Sequence, residues 1–274
     1  MIIDGHAHAS GDFSDPEKLI SLLNTLGVDK IVLCPGSLDE DAIPDIPRIS
    51  YTPISKSKRL LLLANKYIIK HEVPDEYFEK GNELISSMRE KFPERIIHFY
   101  WVNPMKEGVI DKITAELNLA RIKGIKLHQC LSEFTNDSTE MNNLAEFAGK
   151  HNLPIFIHIF SLSEVRKLVN LARKHPKTNF IFAHFIGLEV AKRKGKDLKN
   201  LYFDTSTYFI ISKRRIKYAI KHFGVDHVLL GSDSPFGEKN LENNIKKIKK
   251  MNFSKEDKTL ILGQNMSNLL DLQI

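Results

Sequence analysis

The chain has 274 residues, 42% of them hydrophobic and 27% charged, with a formal net charge of +6. This balance excludes a disordered chain and supplies enough apolar residues for one full barrel-sized core. The longest apolar runs, Leu60–Ala64 and Ile155–Phe160, are far too short to span a bilayer, and the strand-like opening Met1-Ile2-Ile3-Asp4 does not read as a signal peptide. Two cysteines, Cys34 and Cys130, make no disulfide framework, so the expected location is a reducing cytoplasm.

Short apolar runs alternate with amphipathic segments along the chain, the pattern of βα units around a parallel sheet. Strands are predicted at Met1–Asp4, Lys30–Cys34, Ile96–Val102, Ile125–Leu127, Pro154–Ile157, Asn179–Ala183, Leu201–Asp204 and Val228–Leu230. Eight such strands with helices between them predict an α/β fold, a single-domain (β/α)8 TIM barrel over residues 1–274. Ser14 and Glu17 stand at capping-box spacing around Pro16 and open a first helix. Leu19, Leu22, Leu23 and Leu26 form its apolar stripe, and Gly27 stops it. Ser161–Lys174 repeats the design with Leu162, Val165, Val169 and Ala172. An insertion at about 35–95 interrupts this rhythm. It holds a proline-rich stretch, Pro35–Pro53, and two helix-like segments, Ser57–Lys70 and Asp75–Lys91. Placed after a strand end, it lies over the catalytic face of a barrel, as a substrate loop, a surface embellishment or a contact between copies in a homo-oligomer.

The positive charge admits two readings. One is a surface for nucleic acid; the other is a set of lysines on ordinary solvated helices. In Asn240–Met251 the apolar Leu241, Ile245 and Ile248 hold one face, while Lys246, Lys247, Lys249 and Lys250 fill the rest. No aromatic residues interleave these lysines, as base stacking requires, so the second reading is preferred and neither nucleic acid nor membrane is an expected partner.

The chemistry lies at the strand ends. His6 and His8 follow the first strand, Lys126 and His128 end the fourth, His158 ends the fifth, His184 ends the sixth, and Asp233 follows the eighth. In a parallel barrel all these ends open on one face. Asp4, His6 and His8 share parity, and in Gly124–His128 alternation sends Ile125 and Leu127 to the helices and leaves Lys126 and His128 on the barrel axis. Neutral imidazoles and a carboxylate suit Zn2+, and also Mn2+ or Fe2+. A divalent ion with an open position lowers the pKa of a bound water to roughly 7. Lys126 fits three roles: a carboxylated lysine bridging two ions, a cation for an anionic substrate, or a structural ion-pair partner. His128 divides between the site and packing. The histidines at 71, 98, 151, 175, 222 and 227 read as structural or surface residues.

With these residues assembled, the chain resembles the amidohydrolase superfamily, in its amidohydrolase-related (amidohydrolase 2) branch. The resemblance runs through Ile3-Asp4-Gly5-His6-Ala7-His8, Gly124–His128, Pro154–His158, Ala183-His184-Phe185, Tyr202–Ser206, Gly231-Ser232-Asp233-Ser234-Pro235 and Leu262–Asn265. It implies that His6, His8, His158 and Asp233 bind the metal, that His184 is a catalytic histidine or a second-metal ligand, and that Asp233 moves protons. The resemblance also leaves open whether one ion or two are held. The first expectation is hydrolysis of a small amide, lactone or cyclic ester. A non-oxidative decarboxylase would use the same residues. A TatD-like phosphoesterase or nuclease is a third reading, against which stands Gly-Ile-Lys-Leu-His where a glutamate is expected. A non-catalytic metal-binding barrel is the fourth.

Overall fold

Alternation of side chains between the two faces of one sheet sets the architecture. The computed structural model describes residues 1–36, 75–237 and 239–272. Among them, eight strands form one sheet: β1 (Ile3–Ala9), β2 (Lys30–Pro35), β3 (Ile96–Trp101), β4 (Gly124–His128), β5 (Ile155–His158), β6 (Phe180–Phe182), β7 (Leu201–Asp204) and β8 (Val228–Leu229). They lie side by side in chain order, and each pair of neighbours is parallel. The last strand returns to the first: Gly5 N–H donates to Leu230 O at 2.9 Å and His8 N–H to Ser234 O at 2.7 Å. The expected (β/α)8 barrel is therefore the observed fold.

Helices α1 (Pro16–Leu26), α2 (Asp75–Lys91), α3 (Val109–Asn118), α4 (Thr139–Lys150), α5 (Leu162–Lys174), α6 (Leu188–Gly195), α7 (Lys213–Phe223) and α8 (Asn240–Lys249) connect or follow the strands. Two short helices, α9 (Lys255–Thr259) and α10 (Asn265–Leu269), flank a π-helical turn at Leu260–Gln264. None is long and apolar enough to cross a membrane. The cap of α1 departs from the sequence expectation. Asp15, not Ser14, accepts from the Glu17 and Lys18 N–H groups, because the Ser14 hydroxyl is already donated to Gly11 O in the preceding 3-10 turn. The predicted helix Asp75–Lys91 is present, whereas Ser57–Lys70 and residues 37–53 lie outside the described residues.

Two apolar layers result. Ile31, Leu33, Ile125, Leu127, Ile155 and Ile157 pack outward against the helices. Val32, Cys34, Ile97, Phe99, Trp101, Phe156 and Ile181 fill the barrel, with Met266 and Leu270 of the C-terminal segment beneath them. β1 breaks this parity. Ile3 belongs to the inner layer but Ala7 and Ala9 to the outer one, and the pairing with β2 slips between Asp4 and Ala7. A bulge at Gly5-His6 thus turns His6 and His8 inward; simple parity with Asp4 is not the reason. The room for it comes from Gly5, where a Cβ would lie 2.7 Å from Leu230 O.

One buried cation and one buried neutral base show how the layers are pinned. Lys247, expected on a solvated face, is buried, and its ammonium donates to Tyr208 O, Ile211 O and Asn244 Oδ1. The loop after β7 has carbonyls outside the strand ladder, and α8 supplies the cation that satisfies them. Burial pushes this ammonium down to about 7. His98 on β3 is fully buried against α2, its Nε2 3.2 Å from Asn82 Oδ1. Burial pushes its pKa down to about 3, so the folded protein keeps it neutral. Unfolded, it takes up a proton below about pH 6.5. Stability from this residue is full above that value and falls by about 1.4 kcal/mol per pH unit from there toward pH 3, or about 2 kcal/mol at pH 5. Denaturant titrations between pH 7 and 5 are expected to show this loss, and His98→Gln to flatten the slope by about one proton. An unchanged slope in the variant would refute the assignment.

Candidate metal centre

β1, β4 and β5 and the segments after β6 and β8 bring all the predicted residues to one mouth. His6 and His8 stand within β1 rather than after it, Lys126 and His128 within β4, and His158 at the end of β5. His184 lies in the 3-10 turn Ala183–Phe185 that follows β6, and Asp233 lies in the segment after β8. Neighbouring strands set their levels. Trp101 pairs with Lys126, Lys126 with Phe156, and His128 with His158.

Second partners fix the imidazoles. His6 Nδ1 lies 3.1 Å from Asp204 Oδ2 and 2.9 Å from Ser206 Oγ. His8 Nδ1 donates to Pro35 O at 2.7 Å. Each Nδ1 carries the hydrogen, so each Nε2 presents a lone pair. Those two Nε2 atoms are 3.2 Å apart, and Asp233 Oδ1 is 3.6 Å from the first and 3.5 Å from the second. Donors placed about 2.0–2.2 Å from one tetrahedral ion stand roughly 3.4 Å apart. The three donor atoms therefore have the spacing that fits a single divalent cation.

His158 joins this mouth but not the compact trio. Its ring stacks on His128 at 4.0 Å and meets His184 edge-on at 5.0 Å. A second group of donors, His6, His184 and Asp204, also falls within 4.8 Å. Asp204, however, already holds His6 Nδ1, accepts from Ser206 Oγ, and receives the His184 N–H at 3.4 Å. We read this second group as the brace of the first. His184 Nδ1 in turn donates to Ser206 O at 3.0 Å, which frees its Nε2. His184 and Asp233 both adopt left-handed backbones, with φ of 54° and 62°. Few residues other than glycine adopt that region, histidine and aspartate more readily than most, and such positions gather at functional sites.

Burial sets the charge states. It holds His6, His8, His128 and His158 below the usual imidazole value, and the nearby Lys126 ammonium pushes His6 and His128 further down. Burial alone would raise the Asp233 carboxyl, but the neighbouring His184 and the Lys126 ammonium outweigh it and hold it low. Neutral imidazoles and an ionised carboxylate are the forms that ligate a cation. Burial also raises Asp4, to about 7; it accepts from Ser232 N–H at 2.9 Å and Ser232 Oγ at 2.6 Å, pinning the segment that carries Asp233. Lys126 is fully buried, its Nζ 3.2 Å from His6 Nε2 and 4.3 Å from the centre of the Phe156 ring, and burial lowers its pKa.

Asp204, Ser206 and Trp101 escaped the sequence reading as site residues. Asp204 carried the same signal as the histidines, a ligand-type residue closing a predicted strand. Its position depends on Gly231, where a Cβ would collide with Asp204 Oδ1. Asp204→Asn and Gly231→Ala are each expected to weaken metal binding by about 10- to 100-fold, read by competition with a chelating dye. Unchanged affinity in both would remove Asp204 from the brace.

A family model described as Amidohydrolase matches residues 3–272. The chain belongs to this amidohydrolase family. A search of curated proteins found no match. Among solved structures, a candidate amidohydrolase from Staphylococcus aureus is 16% identical, with 99% of each chain covered and a TM-score of 0.73. 2,6-Dihydroxybenzoate decarboxylase from Rhizobium is 14% identical, covering 99% of this chain and 98% of that one, with a TM-score of 0.70. A 5-carboxyvanillate decarboxylase from Novosphingobium aromaticivorans, complexed with manganese and 4-hydroxy-3-methoxy-5-nitrobenzoic acid, is 12% identical over 99% and 96%, with a TM-score of 0.73. At these identities the likeness establishes the fold alone.

Proposed function

We propose that this member of the amidohydrolase family is a divalent-metal-dependent decarboxylase acting on a small planar acid. This places the alternative expected from the sequence ahead of the hydrolase. The observation that carries it is the Lys126 ammonium, buried against His6 and walled by Phe156 and Trp101. A buried cation needs an anion, and aromatic walls suit a flat apolar body. Two neighbours of the same fold decarboxylate aromatic acids, which agrees with this choice.

His6, His8 and Asp233 hold the metal, with His158 as the expected fourth ligand; Zn2+, Mn2+ and Fe2+ all suit this set. Once bound, the ion supplies a Lewis acid for the substrate's carboxylate and a neighbouring oxygen. Lys126 balances the substrate's charge. When the bond to the carboxylate breaks, carbon dioxide leaves and its electron pair remains on the substrate carbon. That carbon takes a proton from His184 in its protonated form. Asp233 is held ionised and is the poorer donor. Asp204 and Ser206 keep His6 and His184 oriented through the cycle.

The hydrolase is the second reading, and the low-held carboxyl of Asp233 favours it, since an ionised carboxylate beside the metal can accept a proton from water. Carbon dioxide release from hydroxybenzoates and unsaturated acids by metal-loaded protein separates the two. Release supports the decarboxylase. Turnover of lactones or amides with no carbon dioxide from any acid would replace it with the hydrolase.

A further inference from the structure

The chain's one tryptophan stands in the mouth with its polar atom unused. Trp101 ends β3, and Asn82 of α2 clamps its backbone, accepting from Trp101 N–H at 3.0 Å and donating to Trp101 O at 2.8 Å. The ring lies parallel to Phe78 on one side, at 4.9 Å and 20°, and to His128 on another, at 5.6 Å and 9°. Lys126 Nζ is 5.5 Å from its centre and the His8 ring 5.9 Å. Its polar neighbours are thus the residues of the metal mouth. The indole Nε1 is buried, yet it has no hydrogen-bond partner among the described residues.

Buried donors nearly always find an acceptor, and an indole N–H can only donate. The neighbours offer it none. Lys126 is itself a donor. His8 spends Nδ1 on Pro35 O and turns Nε2 toward His6 and Asp233. His128 Nδ1 accepts from Cys130 N–H at 3.2 Å. Its acceptor therefore comes from outside the chain, as a bound water or as an atom of a ligand.

We propose that Trp101 is a substrate-recognition residue whose Nε1–H donates to an oxygen of the acid bound in the mouth, beside the countercharge of Lys126. The inference rests on the planar-acid reading above and adds a selection rule to it. Trp101 and Lys126 are register partners on adjacent strands, so one pair of oxygens can meet both donors. The ligand must present a carboxylate, phenolate or carbonyl oxygen on that side. An analogue with an amino or methyl group there leaves the indole unsatisfied.

Because there is one tryptophan, a nitrogen-15 correlation spectrum of the metal-loaded full chain shows one indole signal. The probes are salicylate, benzoate and 2-aminobenzoate, with binding measured independently by calorimetry. The expected result is a downfield shift of the indole proton on saturation with salicylate, and about 10-fold weaker salicylate binding by Trp101→Phe. Trp101→Phe keeps an aromatic ring but removes the N–H and part of the volume, so metal content and thermal stability serve as its folding controls. Salicylate binding with an unmoved indole proton, and equal affinity in the variant, overturns the role of Trp101 and leaves the decarboxylase reading standing. Failure of the metal-loaded protein to bind any of the three acids overturns the planar-acid reading, and the inference falls with it.

Discussion

Alanine at both His6 and His8 is expected to take bound divalent metal from about one equivalent per chain to none, and to lower turnover by roughly 10³-fold or more. The expectation follows from the donor spacing. Removing both Nε2 atoms leaves Asp233 of the compact trio and His158 beyond it, and one carboxylate with one imidazole does not hold a first-row ion tightly against water. The two side chains are buried, so the variant also loses packing, and its far-ultraviolet dichroism must be checked beside the metal analysis. Metal retained at full stoichiometry in a folded variant would place the ion elsewhere. The wild-type stoichiometry is itself informative. About two equivalents would make Lys126 or His128 part of a second site, whereas one equivalent matches the single compact trio.

Much of this site was legible because barrel topology turns chain order into space. Eight apolar runs gave eight strands, and any polar residue closing one of them had to reach the same mouth. That rule placed His158, His184 and Asp233, and Lys126 and His128 by alternation as well. It placed His6 and His8 for an incomplete reason. The bulge at Gly5-His6 reverses the facing of β1, and it is set by the close approach of Leu230, a contact distant in sequence. Lys247 was misread for a similar cause. Helical periodicity puts it among exposed lysines, but the carbonyls of Tyr208 and Ile211, delivered by another segment, draw it inward. Asp15 displaced Ser14 as a cap because the serine was already spent one turn earlier. Periodicity registers which face is apolar. It does not register a hydrogen bond made by a residue that another part of the chain brings into reach.

Lys126→Met is expected to make the protein more stable and the enzyme nearly inactive. Lys126 is completely buried, and among the described residues no carboxylate lies within ion-pair distance of it. Its neighbours are the His6 nitrogen and the faces of Phe156 and Trp101. Cation–ring attraction offsets part of the cost of burying an ammonium but not all of it. Methionine of similar length fills the space without that cost, which raises stability by about 1–3 kcal/mol and the melting temperature by several degrees. The substrate then loses its countercharge, and kcat/KM falls by roughly 10²- to 10³-fold, with metal content unchanged. Chemical denaturation, metal analysis and steady-state kinetics on one preparation test all three statements. A destabilised variant would mean that Lys126 supports the fold. A variant that loses one of two metal equivalents would mean that its nitrogen bridges ions. More stable, metal-replete and inactive is the signature of a residue kept at the expense of stability for what it does to the substrate.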